Sequence, residues 1–193
     1  SIVSNINGLK KFYFNKNRPN LNSIIHKPNQ LIKNVKSTTL DSFFNKFQKL
    51  KQKDFIFIKA DIEGGEFELL NGSLNFIKLH KNITFLFELH QETYDEGDRN
   101  IKKIIKMLLD NKFHISFVES AGVPQPEIFK KYKYEPFKIS NNRGLYKNIS
   151  SEFVLNYAFE RIYFVQQPSF LNNKAILHKK IIRSICISRT LDL

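Results

Sequence analysis

Cysteine is nearly missing from this chain of 193 residues, and Cys186 alone cannot form an internal disulfide framework or a thiolate-rich zinc site. That leaves a reducing compartment, the cytoplasm, as the default expectation. No run of eighteen apolar residues occurs, so no segment is expected to span a bilayer as a helix. The 7 glycines are scattered, with no Gly-x-Gly-x-x-Gly, P-loop or nucleophile-elbow pattern, so neither a phosphate cradle nor a serine triad can be assembled by motif. Arginine is scarce too, 6 against 25 lysines, although it is the better bidentate reader of phosphates and bases. Methionine occurs once, at Met107, and the chain opens on Ser1, as a processed product or a fragment would.

What is plentiful is apolar and positive. Hydrophobic residues make up 41% and phenylalanine alone contributes 19, enough to offset the entropy of ordering one domain. The net charge of +13 suggests nucleic acid or an anionic surface, but with 23 isoleucines and 20 asparagines the lysine excess reads as a compositional background. Its distribution is more informative. Residues 61–98 carry a net −7, whereas the stretches on either side carry +10 each.

The pattern along the chain is that of an α/β protein. Lys11–Asn15, after the turn-forming Asn7-Gly8, alternates as a strand in a small antiparallel excursion, and a polar loop is expected from there to about Lys36. Leu40, Phe43, Phe44, Phe47 and Leu50 recur at helical spacing behind a cap at Ser37, Thr38 or Thr39. Asp54–Ala60 is a continuous apolar strand of the kind covered on both faces. After Gly64-Gly65 comes one helix with Phe67, Leu70, Leu74 and Ile77 on a face. A second buried strand, Ile83–His90, leads to a helix marked by Ile101, Ile104, Ile105, Leu108 and Leu109, and then to a third strand, Phe113–Val118. Strand and helix alternating through short connections imply a right-handed α/β sheet. Residues 120–150, broken by Pro124, Pro126 and Pro136, are expected to be an irregular excursion near the substrate mouth. Phe153–Tyr157 and Ile162–Val165 are candidate strands of an antiparallel edge, and 172–193 reads as a basic amphipathic tail. That tail is expected to dock on its own domain rather than on a membrane or nucleic acid. No second domain is expected in 1–193.

Ligands of open α/β sheets bind beyond the carboxyl ends of the strands, and the acidic island lies there. Asp61 and Glu63 leave one strand, while Glu88 and His90 end the next and are two apart. Three carboxylates and an imidazole can together hold a divalent cation or take a proton from a hydroxyl. Glu66 and Glu68 fall in the first turn of a helix, where the simpler reading is complementation of the helix dipole. Glu92, Asp95, Glu96 and Asp98 read as a solvated loop. Asp61 as a cap and His90 as a core histidine are the structural alternatives for those two residues.

The strings Ser37-Thr-Thr-Leu-Asp-Ser-Phe-Phe44, Phe57-Ile-Lys-Ala-Asp-Ile-Glu-Gly-Gly-Glu66, Leu69-Leu-Asn-Gly72 and Phe87-Glu-Leu-His90 resemble, in order and spacing, the FkbM family of S-adenosylmethionine-dependent methyltransferases. Val3–Phe14 extends the likeness, which fades beyond Val118. Family members typically read T-L-D, K-I-D-V-E-G-A-E, V-L-K-G and E-x-H, so Ala60 and Gly65 depart from the usual Ile and Ala. The resemblance implies a Rossmann-like class I methyltransferase sheet, in which the strands ending at Ala60 and His90 are the fourth and fifth. It also implies an antiparallel carboxyl-terminal edge and methyl transfer to a hydroxyl of a sugar, glycan or small metabolite. By the same matches Asp61, Glu63 and His90 are catalytic candidates, Asp61 also bordering cofactor and acceptor, and Glu88 and Glu63 face the substrate or a metal ion. The family's D-x-G-A-N-type cofactor loop and acidic second-strand end have no counterpart here, so the chain is expected to be the carboxyl-terminal portion of a sheet incomplete at its amino end. The competing readings are a metal-dependent phosphodiesterase or nuclease, a non-catalytic basic binding module, and a methyltransferase remnant that scaffolds a partner.

Overall fold

The computed structural model describes residues 2–16, 22–24, 30–46, 51, 54–91, 100–158, 162–164, 177–179 and 181–189. Phe47, Leu50, the acidic run at 92–98, Val165 and 190–193 lie outside them. The architecture is mixed α/β. A small sheet is formed by β1 (Ile2–Val3), β2 (Gly8–Phe14) and β3 (Leu31–Thr38), in the order β1-β3-β2. β2 starts where Gly8 takes φ +119°, a value L side chains rarely adopt, and pairs antiparallel with β3 from Gly8↔Ser37 to Phe14↔Leu31. β3 therefore occupies much of what the sequence suggests is a polar loop; its exposed face keeps it polar, which hides the strand.

Thr39 is the residue that caps α1 (Leu40–Asn45), accepting the Ser42 amide at 3.0 Å. Next come β4 (Ile56–Ala60), α2 (Glu66–Asn71), α3 (Leu74–Leu79) and β5 (Ile83–Glu88). The single helix expected after Gly65 is thus two. The break falls at Gly72, whose backbone passes so close to β1 that a Cβ there would lie 2.2 Å from the Ser4 carbonyl oxygen. Asp41 of α1 accepts the Phe76 amide at 2.7 Å at the start of α3, and Phe44 stacks on Phe76 with ring centroids 4.2 Å apart.

The chain continues through α4 (Ile101–Asp110), β6 (His114–Ser120), α5 (Glu127–Lys131), β7 (Lys138–Ser140), β8 (Arg143–Tyr146), α6 (Ser151–Tyr157), β9 (Ile162–Phe164), β10 (Leu177–Lys179) and β11 (Ile182–Arg189). Six strands make the main sheet in the order β4-β5-β11-β6-β8-β7. β4 and β5 are parallel, and β11 runs antiparallel to both β5 and β6 between them, so β4, β5 and β6 end on one edge.

Five expectations change here. The excursion 120–150 contains α5 and the pair β7–β8, which extends the sheet beyond β6. Phe153–Tyr157 is helical: Ser150 caps it by accepting the Phe153 amide, and Phe153 and Val154 are buried. β9 pairs with β10 in a separate two-stranded sheet and is not the edge of the main one. The basic tail supplies β11, a central strand with Ile182, Ile185, Cys186 and Ile187 buried. β4, in turn, lies at the edge of the sheet among the described residues and is not covered on both faces, with Phe57 and Lys59 exposed.

β11 also closes the end of the sheet opposite the carboxyl edge. Arg189 donates to the carbonyls of Ile77 and His80 at the end of α3 and, at 3.4 Å, to Asn111 after α4, while its guanidinium lies 4.5 Å from the Phe113 ring centroid. A cation at helix carboxyl ends meets the orphan carbonyls and the negative end of the dipole. Burial lowers the Arg189 pKa.

Gly72→Ala should be severely destabilising, because the atom it would strike is backbone: a loss of about 3 kcal/mol is expected in urea melts. Asn71→Ala, on an exposed neighbour, should change stability by less than about 0.5 kcal/mol.

Candidate functional site

The turn leaving β4 sets the site. Glu63 takes φ +50° and Gly64 φ +92°, a left-handed pair that reverses the chain over three residues before α2 begins. The Ser23 hydroxyl donates to the Glu63 carbonyl at 2.7 Å and helps hold the peptide in that conformation. A Cβ at Gly65 would meet Ile62 and Ile24 side-chain carbons at 3.2 and 3.3 Å, so glycine permits the close packing of this turn on the rest of the domain.

Glu66 is the residue on which the turn closes. It is fully buried, and its Oε1 lies 3.4 Å from the amides of Ile62 and Gly64 and 2.9 Å from His90 Nδ1. Acceptance by the carboxylate fixes the proton of His90 on Nδ1. His90 Nε2 then looks the other way, 3.7 Å from Glu63 Oε1. Asp61 completes the group: ligand atoms of Asp61, Glu63 and His90 all lie within 4.8 Å of one another, with His90 buried, Glu63 half-buried and Asp61 exposed. Lys59 sits 3.7 Å from the Asp61 carboxylate in an exposed pair of little energetic weight.

The structure therefore brings together Asp61, Glu63 and His90, and adds Glu66. The simpler reading of Glu66, a negative charge for the helix dipole, misses its burial. The signal was in the spacing: Glu66 precedes Leu69 and Leu70 by three and four positions, and both are buried. Glu88 takes another partner. It meets Arg183 at 2.5 Å, and Arg183 continues to Glu119 at 3.9 Å. Glu119 also meets Arg143 at 3.4 Å and accepts from the Ser184 hydroxyl at 2.9 Å. This alternating Glu–Arg network spans the ends of β5, β11, β6 and β8, on the same edge as the His90 cluster.

Gln91 links the site to the end of the chain. Its Nε2 donates to the carbonyls of Ala158 at 2.7 Å and Ile182 at 2.9 Å, so the end of α6 and the start of β11 are both fastened beside His90.

Chemically, an imidazole with one nitrogen tied to a buried carboxylate and the other turned towards two more carboxylates is arranged to receive a proton at Nε2. The same three donors, two carboxylates and an imidazole, also suit a divalent first-row cation better than calcium or magnesium. His90 should populate the Nδ1–H tautomer in nitrogen-15 NMR of the neutral ring, and an Nε2–H tautomer would contradict this geometry. Glu66→Leu, which removes the acceptor of three donors, should cost about 3 kcal/mol in urea melts, and the isosteric Glu66→Gln clearly less.

Against sequence families, the model described as the methyltransferase FkbM domain matches residues 4–115, more than half of the chain. That span runs from the turn after β1 into β6 and includes Asp61, Glu63, Glu66, Glu88 and His90. Neither the curated proteins nor the solved structures contain a match.

Proposed function

This chain belongs to the FkbM methyltransferase family, and on that premise we propose that it serves S-adenosylmethionine-dependent methylation of a hydroxyl oxygen on a sugar, glycan or small metabolite. The observation that carries the reading is the Glu66–His90 pair, with His90 Nε2 turned towards Glu63 in the group that also contains Asp61. The family match favours methyl transfer over the hydrolytic reading of the same carboxylates.

S-adenosylmethionine supplies an electrophilic methyl group when bound. The chain's own residues do the rest. Asp61 and Glu63 accept hydrogen bonds from the acceptor and hold its hydroxyl near His90 Nε2. The imidazole takes the hydroxyl proton as the oxygen becomes nucleophilic, and Glu66 keeps the ring in the tautomer that leaves Nε2 able to do so. The positive charge that forms on the ring lies between the carboxylates of Glu63 and Glu66. Glu88, with Arg183, lines the edge beside them.

The fit of the cofactor itself is one-sided. Asp61 is an exposed carboxylate that can stand beside the sulfonium, but no glycine-rich strand-loop-helix is present to cradle the rest. Among the described residues β4 pairs with β5 alone, and Phe55 just before it and Phe57 within it are exposed, 62% and 53% respectively. A strand with one edge open among the described residues is a ready template for another. We therefore read these residues as the acceptor side of a larger sheet, completed by strands that add to β4 and carry the cofactor loop. Titration calorimetry should register no S-adenosylmethionine binding to this chain by itself. Tight binding by it alone would defeat this part of the proposal.

In a protein that transfers labelled methyl groups to hydroxyl acceptors, His90→Ala should lower kcat by about 100-fold or more. Undiminished transfer would remove His90 from its role. The three-donor cluster supports a second reading, a divalent cation that polarises the hydroxyl. Rates indifferent to EDTA select the imidazole, and rates lost to EDTA and restored by Mn2+ select the metal.

A further inference from the structure

We propose that the Glu–Arg network on the carboxyl edge is a binding subsite for a neutral glycan, which narrows the methyl acceptor to one sugar of a longer uncharged saccharide. The proposal rests on the methyl-transfer reading for what happens at His90, and on the network for what is held beside it.

The network is built into the sheet. Glu88, Ser184 and Glu119 stand opposite one another on β5, β11 and β6, so they share one face at the strand ends. The Leu89 amide donates to the Arg183 carbonyl at 2.8 Å, which sets Arg183 across from the residue that precedes His90. From there its guanidinium reaches both carboxylates, Glu88 through Nη2 and Glu119 through Nε. On the far side the Ser120 hydroxyl accepts the Gly144 amide at 2.8 Å and holds the start of β8, with Arg143, against the end of β6. At the usual strand spacing the distance from β5 to β8 is about 14 Å, longer than a single sugar ring.

Holding the strands does not call for these pairs. β11 is already bonded to β5 and β6 along its length, and ion pairs open to water add little. What they offer is unused hydrogen-bonding capacity. Both arginine side chains are 34% exposed, and among the described residues Arg143 meets a carboxylate through Nη1 alone, which leaves most of its N–H donors unused. Glu88 and Glu119, 20% and 22% exposed, place acceptors between them. Neighbouring sugar hydroxyls each donate and accept, and a carboxylate or a guanidinium fork can engage two at once, which the point charge of a lysine does not match. Ser184 already makes one such contact, its hydroxyl donating to Glu119 at 2.9 Å. In a chain with 25 lysines and 6 arginines, two arginines at this edge mark a need for geometry rather than for charge.

The charge balance selects among oxygen-rich ligands. The network pairs two carboxylates with two guanidiniums, and Asp61, Glu63 and Glu66 beside it are acidic, so a uronate or a phosphate is repelled. An apolar acceptor would bury these charges with nothing returned. A neutral saccharide satisfies both signs and adds no charge of its own.

The test is saturation-transfer NMR and titration of the full chain, without cofactor, against lactose, fucosyllactose, cellotriose and mannotriose, the monosaccharides from which they are built, and digalacturonate. A neutral oligosaccharide should bind, more tightly than its monosaccharides and than digalacturonate. Arg183→Lys with Arg143→Lys keeps both charges but removes both forks, and should lose on the order of tenfold in affinity with an unchanged melting curve. Lys106→Ala, an exposed position of α4, should bind as the unaltered chain does. In a protein that transfers methyl groups, the double lysine variant should raise KM for the same glycan by the same factor and leave kcat at saturating glycan within about twofold, a split that a merely structural role would not produce. No binding of a neutral oligosaccharide, tighter binding of digalacturonate or of the monosaccharides, or full affinity in the double lysine variant would each overturn the proposal. Saccharide binding together with undiminished transfer by His90→Ala would fault the role of His90 and leave the subsite standing, so the two failures are distinguishable.

Discussion

The sheet depends on one pairing made late in the chain, the insertion of β11 between β5 and β6. Neither of those strands pairs with the other. Each pairs along its inner edge with β11, in continuous register from Ser184↔Glu88 to Arg189↔Ile83 on one side and, with register shifts after Ile182 and after Cys186, from Ile182↔Ser120 to Ser188↔His114 on the other. Buried backbone groups without partners are costly, so without β11 the two halves of the sheet would have no shared core. Its ends carry further consequences. Arg183 and Ser184 engage Glu88 and Glu119 at the carboxyl edge, and Arg189 gathers the ends of α3 and α4 at the opposite edge.

The site is built on that frame by a second buried device, the Glu66 carboxylate. A carboxylate wholly inside a protein needs several donors, and Glu66 has the turn amides of Ile62 and Gly64 and the ring of His90. One side chain therefore shapes the turn after β4 and orients the histidine after β5. The stability of the turn and the orientation of His90 are the same interaction seen from two ends. Gln91, next along the chain, ties this corner to α6 and β11, so the segment that carries His90 is braced from both halves of the sequence.

Much of the site was legible because it is local. Asp61 and Glu63 follow a strand-like run and precede a Gly-Gly turn, and Glu88 and His90 end the next run, so sequence spacing placed all four at one sheet edge. The likeness to FkbM methyltransferases rests on those same strings and agrees with the family match over residues 4–115. Which carboxylate faces the histidine was not legible. Glu66 and Glu88 are equally acidic in sequence, but packing buries the first against His90 and Arg183 draws the second away.

The sequence by itself determined the α4 helix with its Ile101, Ile105 and Leu108 stripe, a capped start for α1, the cores of β4, β5 and β6 and the position of the acidic turn. All of these follow from side-chain periodicity and turn chemistry within a few residues. Only the tertiary structure decided that a lysine- and arginine-bearing tail becomes the central strand, that Phe153–Tyr157 coils into a helix, and that Gly72 divides one apolar stripe into two helices. In each case the deciding partner is remote: β5 and β6 for the tail, α4 for the helix, and the Ser4 carbonyl for Gly72. A pattern read over a short window registers how a segment can fold, and long-range burial and hydrogen bonding select which of those forms it takes.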